Sequence, residues 1–73
     1  MKTSEILCAK MNLAECLENF ISDTEKAIDY LTACLQDKNR EHDTEVDESA
    51  KESICVHRKS IEIAKQFLFD LEN

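Results

Sequence analysis

The chain of 73 residues contains neither glycine nor proline. Average usage would place roughly nine residues of these two types in a chain of this length. Tight hairpin turns of the Asn-Gly type, proline-rich linkers and glycine-rich phosphate-binding loops each need one or the other. Their absence favours a mostly helical protein, and the short chain leaves room for a single domain, residues 1–73.

Long apolar runs are missing as well. No stretch of the sequence reaches the roughly 18–20 apolar residues that a membrane-spanning helix needs. Near the N-terminus Lys2, Glu5, Lys10 and Glu15 interrupt the apolar centre that a signal peptide would require. We therefore expect a cytoplasmic protein with reduced thiols and no membrane partner.

Basic residues are scarce, with 9 Lys and Arg against 16 Asp and Glu and a net charge of -7. Because affinity for phosphates comes from clustered Lys and Arg, direct binding of nucleic acid is not expected. The acidic residues are densest around residues 41–48. A nucleic-acid mimic, in which spaced carboxylates occupy a basic groove of another protein, stays open as an alternative.

What the sequence does contain is apolar residues at helical spacing. Three adjacent heptad registers, which begin at Ile6, Leu7 and Leu17, run unbroken as far as Leu35. They predict a first helix over about residues 4–37, capped by Thr3 or Ser4. The pattern Ser22-x-x-Glu25 is that of a capping box and leaves a kink or a break near Ser22 open.

A second amphipathic helix is predicted over about residues 47–72, capped by Thr44 or Asp47. Between the helices lies a polar, acidic loop of about residues 38–46, in which Asn39 is the best candidate for a left-handed helix cap. Two long helices joined by a short loop are expected to fold back as an all-α antiparallel hairpin.

The predicted hairpin has more apolar residues than it can bury. Each helix of a hairpin buries one side only, yet further apolar side chains lie elsewhere on both helices, namely Tyr30, Val56, Ile63, Phe67 and Phe69. These residues predict an interaction surface that is covered by a second copy, as in a four-helix bundle, or by another protein. The sequence therefore favours a homo-oligomer that acts by protein–protein interaction. In composition the chain resembles small acidic helical inhibitors made by phages and mobile elements. This resemblance rests on no motif, and it implies an inhibitor of a host system as one use of the surface.

Few residues are candidates for chemistry. His57, Arg58, Lys59 and Lys65 form the one basic patch, which predicts either a site for a small anionic ligand such as a nucleotide or ordinary exposed residues. No pairing of a nucleophile with a base is visible, so we expect no catalytic residue, no enzyme activity and no cofactor.

The sequence also argues against a metal site. Cys8, Cys16, Cys34 and Cys55 do not follow a zinc-binding spacing, and free thiols are favoured while a Cys34–Cys55 pair stays open. From Glu41 onward, side chains that carry oxygen have the spacing of a calcium-binding loop, namely Glu41, Asp43, Glu45, Asp47, Ser49 and Glu52. Val46 stands where such a loop needs glycine, which favours a solvated acidic loop.

Overall fold

The structure is a computed structural model that describes residues 2–73, and within them it contains two helices and no strand. Helix α1 spans Thr3–Gln36 and helix α2 spans Thr44–Glu72. The predicted all-α class is confirmed, and the two helices fit a helical hairpin. No break interrupts α1 at Ser22. The molecule is a rod of 57 × 16 × 16 Å.

The two helices contact each other along one line, which we call the seam. On each helix the seam residues are spaced alternately three and four positions apart. Every seam residue is buried or half-buried: Ala14, Leu17, Ile21, Thr24, Ile28, Leu31 and Leu35 on α1, and Asp47, Ala50, Ile54, His57, Ile61, Ala64, Leu68 and Leu71 on α2. Leu17 shares a groove with Ala64, whereas Leu31, two heptads further along α1, shares one with Ala50. The helices therefore run antiparallel.

The core along this seam is thin. Among the described residues only Thr24, Ile54, Ile61 and Ala64 are classed as buried, and no large side chain is fully buried. One of these four is polar, so the hairpin buries little apolar surface by itself. Most of its larger apolar side chains stay partly in contact with solvent.

Each helix is capped by the residue just before its first predicted cap: Lys2 precedes Thr3, and Asp43 precedes Thr44. Helix α2 starts at Thr44 because Asp43 caps it: the Asp43 carboxylate accepts a hydrogen bond from the backbone N–H of Glu45 at 2.9 Å. Asp47 lies inside the first turn of the helix instead of before it. Helix α1 is capped at Lys2, whose backbone N–H donates to Glu5 Oε2 at 3.3 Å. The connecting loop is therefore residues 37–43, shorter than the predicted 38–46.

The C-terminal end of α1 is closed by side chains. No described residue has a positive φ, so the left-handed conformation predicted for Asn39 is wrong. Instead Arg40 Nε donates to the carbonyl of Cys34 at 3.1 Å, and His42 Nε2 lies 2.7 Å from the carbonyl of Asp37. The Cys34 carbonyl in the last turn of α1 also accepts a hydrogen bond from the backbone N–H of Asp37 at 3.4 Å. Side chains therefore add to the capping of this helix end, where a backbone turn at glycine is common.

Candidate interaction surface

The hairpin has two flanks, one on each side of the seam. On one of them both helices present mostly apolar side chains, which meet in a groove lined by Leu17, Phe20, Ser60, Ile63, Ala64 and Phe67. We call this side the uncharged flank. Its members outside the seam are Ile6, Leu13, Phe20, Ala27, Tyr30 and Cys34 on α1, and Val46, Ser49, Ser53, Val56, Ser60, Ile63 and Phe67 on α2. Asp23 and Asp70 stand at its outer edges.

The uncharged flank carries most of the exposed apolar surface. Of the eleven large hydrophobic side chains that are exposed in residues 2–73, eight belong to it, and only Leu7, Met11 and Phe69 lie elsewhere. Near the middle of the rod Phe20 is 46% exposed, and Ile63 and Phe67 are each 58% exposed. Soluble monomers rarely expose large contiguous apolar patches, so this flank is the candidate interaction surface of the hairpin.

Four of the five surface residues predicted from sequence lie on this flank: Tyr30, Val56, Ile63 and Phe67. Phe69 is exposed as well, but it lies two positions after Phe67 on α2 and is therefore on the opposite flank. The predicted interaction surface did not include Ile6, Leu13 and Phe20, which belong to the apolar stripe formed by the three heptad registers of the first helix. The available signal was the width of that stripe, because three adjacent heptad registers are more than one partner helix covers.

The opposite flank is charged. Lys51, Arg58 and Lys65 recur every seven residues on α2, and Lys51 and Arg58 line a groove with Leu35 and Ile54 of the seam. The heptad register places Glu25 of α1 across from Arg58, and Glu18 across from Lys65. Negative charge on one helix therefore offsets positive charge on the other, and this side suits contact with water.

The four residues of the predicted anion site are not brought together. His57 is half-buried in the seam, while Arg58 and Lys65 stand on the charged flank. Lys59 lies on the outer side of α2, where it lines a shallow groove together with His57 and Glu52. The negative charge of Glu52 would repel an anion bound in this groove. The arrangement thus offers no convergent set of cations.

Arg40, His42 and Asp47 form the tightest polar cluster in the described part of the chain. Arg40 donates to Asp47 Oδ1 at 2.9 Å, and His42 Nδ1 lies 2.8 Å from Asp47 Oδ2. The hydrogen bond to the Asp37 carbonyl and the one to Asp47 raise the pKa of His42 above its ordinary value. Both ring nitrogens face oxygen acceptors, which favours the doubly protonated imidazolium, whereas the positive charge of Arg40, whose Nη2 lies 3.3 Å from Nδ1, opposes it.

The pKa of Asp47 is shifted in the opposite direction. Partial burial raises it, but the hydrogen bonds from Arg40 and His42 and their positive charges outweigh that effect and lower the pKa below its ordinary value. The hydrogen bonds of the cluster join the end of α1 and the loop to the first turn of α2. The cluster of Arg40, His42 and Asp47 therefore holds the loop in place, and we call it the loop clasp.

Cysteines and carboxylates form no metal site within residues 2–73. All four cysteines are free, and Cys34 lies on the uncharged flank whereas Cys55 lines the groove of the charged flank. Most of the segment with the spacing of a calcium-binding loop is helical, because α2 begins at Thr44. The side-chain oxygens of this segment therefore cannot surround a calcium ion as they do in such a loop. Neither helix has a stretch apolar enough to cross a bilayer in the described residues.

Comparison with known proteins adds no relative: no family model, no curated protein and no solved structure matches this chain.

Proposed function

We propose that this chain is a non-enzymatic helical protein that acts by protein–protein interaction, and that it associates with further copies of itself through the uncharged flank into a helical bundle. The observation that carries the proposal is the flank itself. Eight exposed large hydrophobic side chains lie on one side of a rod whose other side is charged. Such one-sided segregation is typical of a face that is covered in the working assembly.

The surface area of the chain supports this proposal. The accessible surface is 6007 Å² for a mass of 8.4 kDa. A compact monomer of this mass exposes about 4,600 Å², so the hairpin exposes about 1,400 Å² more than expected. Since a stable interface buries about 800 Å² on each partner, the excess is sufficient for one extensive interface per chain.

The thin core leads to the same proposal. By the usual scaling for an unfolded chain, this hairpin buries about half of its unfolded surface, whereas an independent domain of 60 residues buries about 60%. Small domains commonly make up such a deficit with disulfides, metals or oligomerisation. The four cysteines are free, and the described residues hold no metal cluster, which leaves oligomerisation as the means consistent with this chain.

A non-enzymatic role is supported by the character of the grooves. Those along the seam are shallow and open, and they expose mainly apolar side chains of the two helices. The hydrogen bonds of the loop clasp run from Arg40 and His42 to Asp47 and from His42 to the Asp37 carbonyl, so they hold the loop. An enzyme would need an enclosed site in which a nucleophile or base meets a substrate.

Sedimentation velocity and light scattering test the proposal. We expect the protein to have the mass of a dimer or larger at low micromolar concentration. Ile63→Lys should shift it to the monomer, because it places a charge in the middle of the uncharged flank. Gln66→Lys adds the same charge on the outer side of α2 and serves as the matched control, which should remain associated. A wild-type protein that is strictly monomeric in this range contradicts the proposal.

A further inference from the structure

We infer that two copies pair antiparallel through the uncharged flank, so that the loop end of one hairpin lies beside the N-terminal end of the other. This inference rests on the self-association proposed above and specifies its geometry. In a closed two-fold pair there are two ways to stack the flanks. In the antiparallel pair α1 packs on α1 and α2 on α2, whereas in the parallel pair α1 of each copy packs on α2 of the other.

The unequal lengths of the helices favour the antiparallel pair. Helix α1 has 34 residues and α2 has 29, and at 1.5 Å per residue the start of α1 extends about 8 Å beyond the end of α2. Ile6 belongs to this overhang and is 40% exposed. In a parallel pair the overhang would face the place where α2 of the other copy has already ended. In an antiparallel pair it packs against the C-terminal part of α1 of the other copy.

The heptad spacing along α1 then brings suitable residues together. Apart from Tyr30, the members of the uncharged flank on this helix recur every seven residues and are symmetric about Phe20, which lies near the middle of α1. Phe20 of one copy meets Phe20 of the other at the two-fold axis. Leu13 of each copy meets Ala27 of the other, and Ile6 meets Cys34. The whole length of the helix is used, and a large side chain faces a smaller one on either side of the axis.

The same geometry matches the apolar residues of α2. With the two-fold axis beside Phe20, Ile63 lies close to the axis, and Val56 of one copy reaches Phe67 of the other. The face of the rod, about 900 Å² from its length and width of 57 and 16 Å, is then covered on each copy. That area agrees with the roughly 800 Å² per partner of a stable interface.

Charge gives a second, independent argument. Residues 37–48 contain six acidic residues and two basic ones, which is a net charge of -4, or -3 with His42 protonated. At the opposite end the side chains of residues 2–11 and 65–73 sum to zero. A parallel pair would place two strongly negative loop ends side by side. An antiparallel pair places each beside a neutral end and avoids a repulsion that acts over a Debye length of about 8 Å.

Disulfide trapping tests the orientation. In a background with Cys8, Cys16, Cys34 and Cys55 replaced by Ala, chains with Leu13→Cys are mixed with chains with Ala27→Cys and air-oxidised. The antiparallel pair brings these positions together, so we expect a mixed covalent dimer. Within one chain they lie 14 residues apart on a single helix, or about 21 Å, far beyond the reach of a disulfide.

A second mixture, Ala27→Cys with Val56→Cys, is the matched control, since only a parallel pair brings these positions of two copies together. Cross-linking of the control mixture instead of the first would overturn the orientation while leaving self-association intact. A dimer by mass in which neither mixture cross-links would overturn the pairing through this flank. A monomeric wild type would overturn both proposals.

The wild-type chain provides a readout that needs no cysteine variant. A zero-length carbodiimide joins a lysine to a carboxylate that lies beside it. Lys2 and Asp37 lie at opposite ends of one hairpin, so a link between them reports two chains in antiparallel contact. We expect this link in the covalent dimer, and its absence from a heavily cross-linked dimer would count against the orientation.

Discussion

Phe67 and Phe69 allow a direct test of which flank is covered. The two residues have the same side chain, lie two positions apart on α2, and are 58% and 60% exposed. Phe67 belongs to the uncharged flank and Phe69 to the charged one. We predict that Phe67→Ala weakens self-association strongly, whereas Phe69→Ala leaves it unchanged.

The magnitude follows from the exposed area. A phenylalanine presents about 200 Å², so the exposed part of Phe67 is roughly 115 Å². At ~25 cal/mol per Å² its burial is worth about 3 kcal/mol in each chain, of which alanine would retain about a third. A dimer therefore loses about 4 kcal/mol, which corresponds to roughly a 1,000-fold increase in the dissociation constant.

Sedimentation equilibrium over a wide range of concentrations measures this constant for both variants. The helical content of each variant, followed by circular dichroism over the same range of concentrations, separates loss of association, which a higher concentration reverses, from general misfolding, which it does not reverse. Equal effects of the two substitutions would refute the assignment of the uncharged flank as the interface. A larger effect of Phe69→Ala would instead place the interface on the charged flank.

Three further predictions concern stability. Asp43→Ala should lower the free energy of unfolding by about 1 kcal/mol because α2 loses its cap, while Asp43→Asn retains it, as chemical denaturation will show. The raised pKa of His42 means that its contribution is full below its ordinary pKa of 6.5 and is lost as the pH rises through the raised value. The melting temperature should therefore fall between pH 6 and pH 9 more in the wild type than in His42→Gln, and equal falls would show that protonation of His42 does not stabilise the loop. Finally, the melting temperature should rise with protein concentration, and independence from concentration would contradict coupled folding and association.

The helices themselves were predictable because the heptad spacing is continuous in both. Their ends were not, since several residues that can cap a helix are adjacent in the sequence. Asp43, Thr44 and Asp47 all have suitable side chains, and only the path of the loop decides that Asp43 caps α2. Asp47 is then free to accept hydrogen bonds from Arg40 and His42, a contact between residues five and seven apart that no local pattern indicates.

The interaction surface was predictable only in part, for a different physical reason. Spacing shows that Phe20 lies on the apolar side of α1, but α2 covers two of the three registers, and the choice depends on how the helices pack. In the hairpin the seam uses the registers of Ile21 and Thr24, which leaves Phe20 on the flank. The flank on which Phe69 lies is likewise decided by which registers of α2 form the seam.

The composition of the seam explains why the flank matters so much. At its centre the heptad register places Thr24 across from His57, so polar side chains occupy positions that aliphatic residues usually fill, and Ala50 and Ala64 supply little apolar area. A polar residue in such a seam fixes register and partner orientation at a cost in stability. The large side chains that would compensate, Phe20 and Phe67 among them, stand on the uncharged flank. If stability must come from burying that flank, folding and association are one reaction, and substitutions on the flank should unfold the chain at concentrations where the wild type is fully helical.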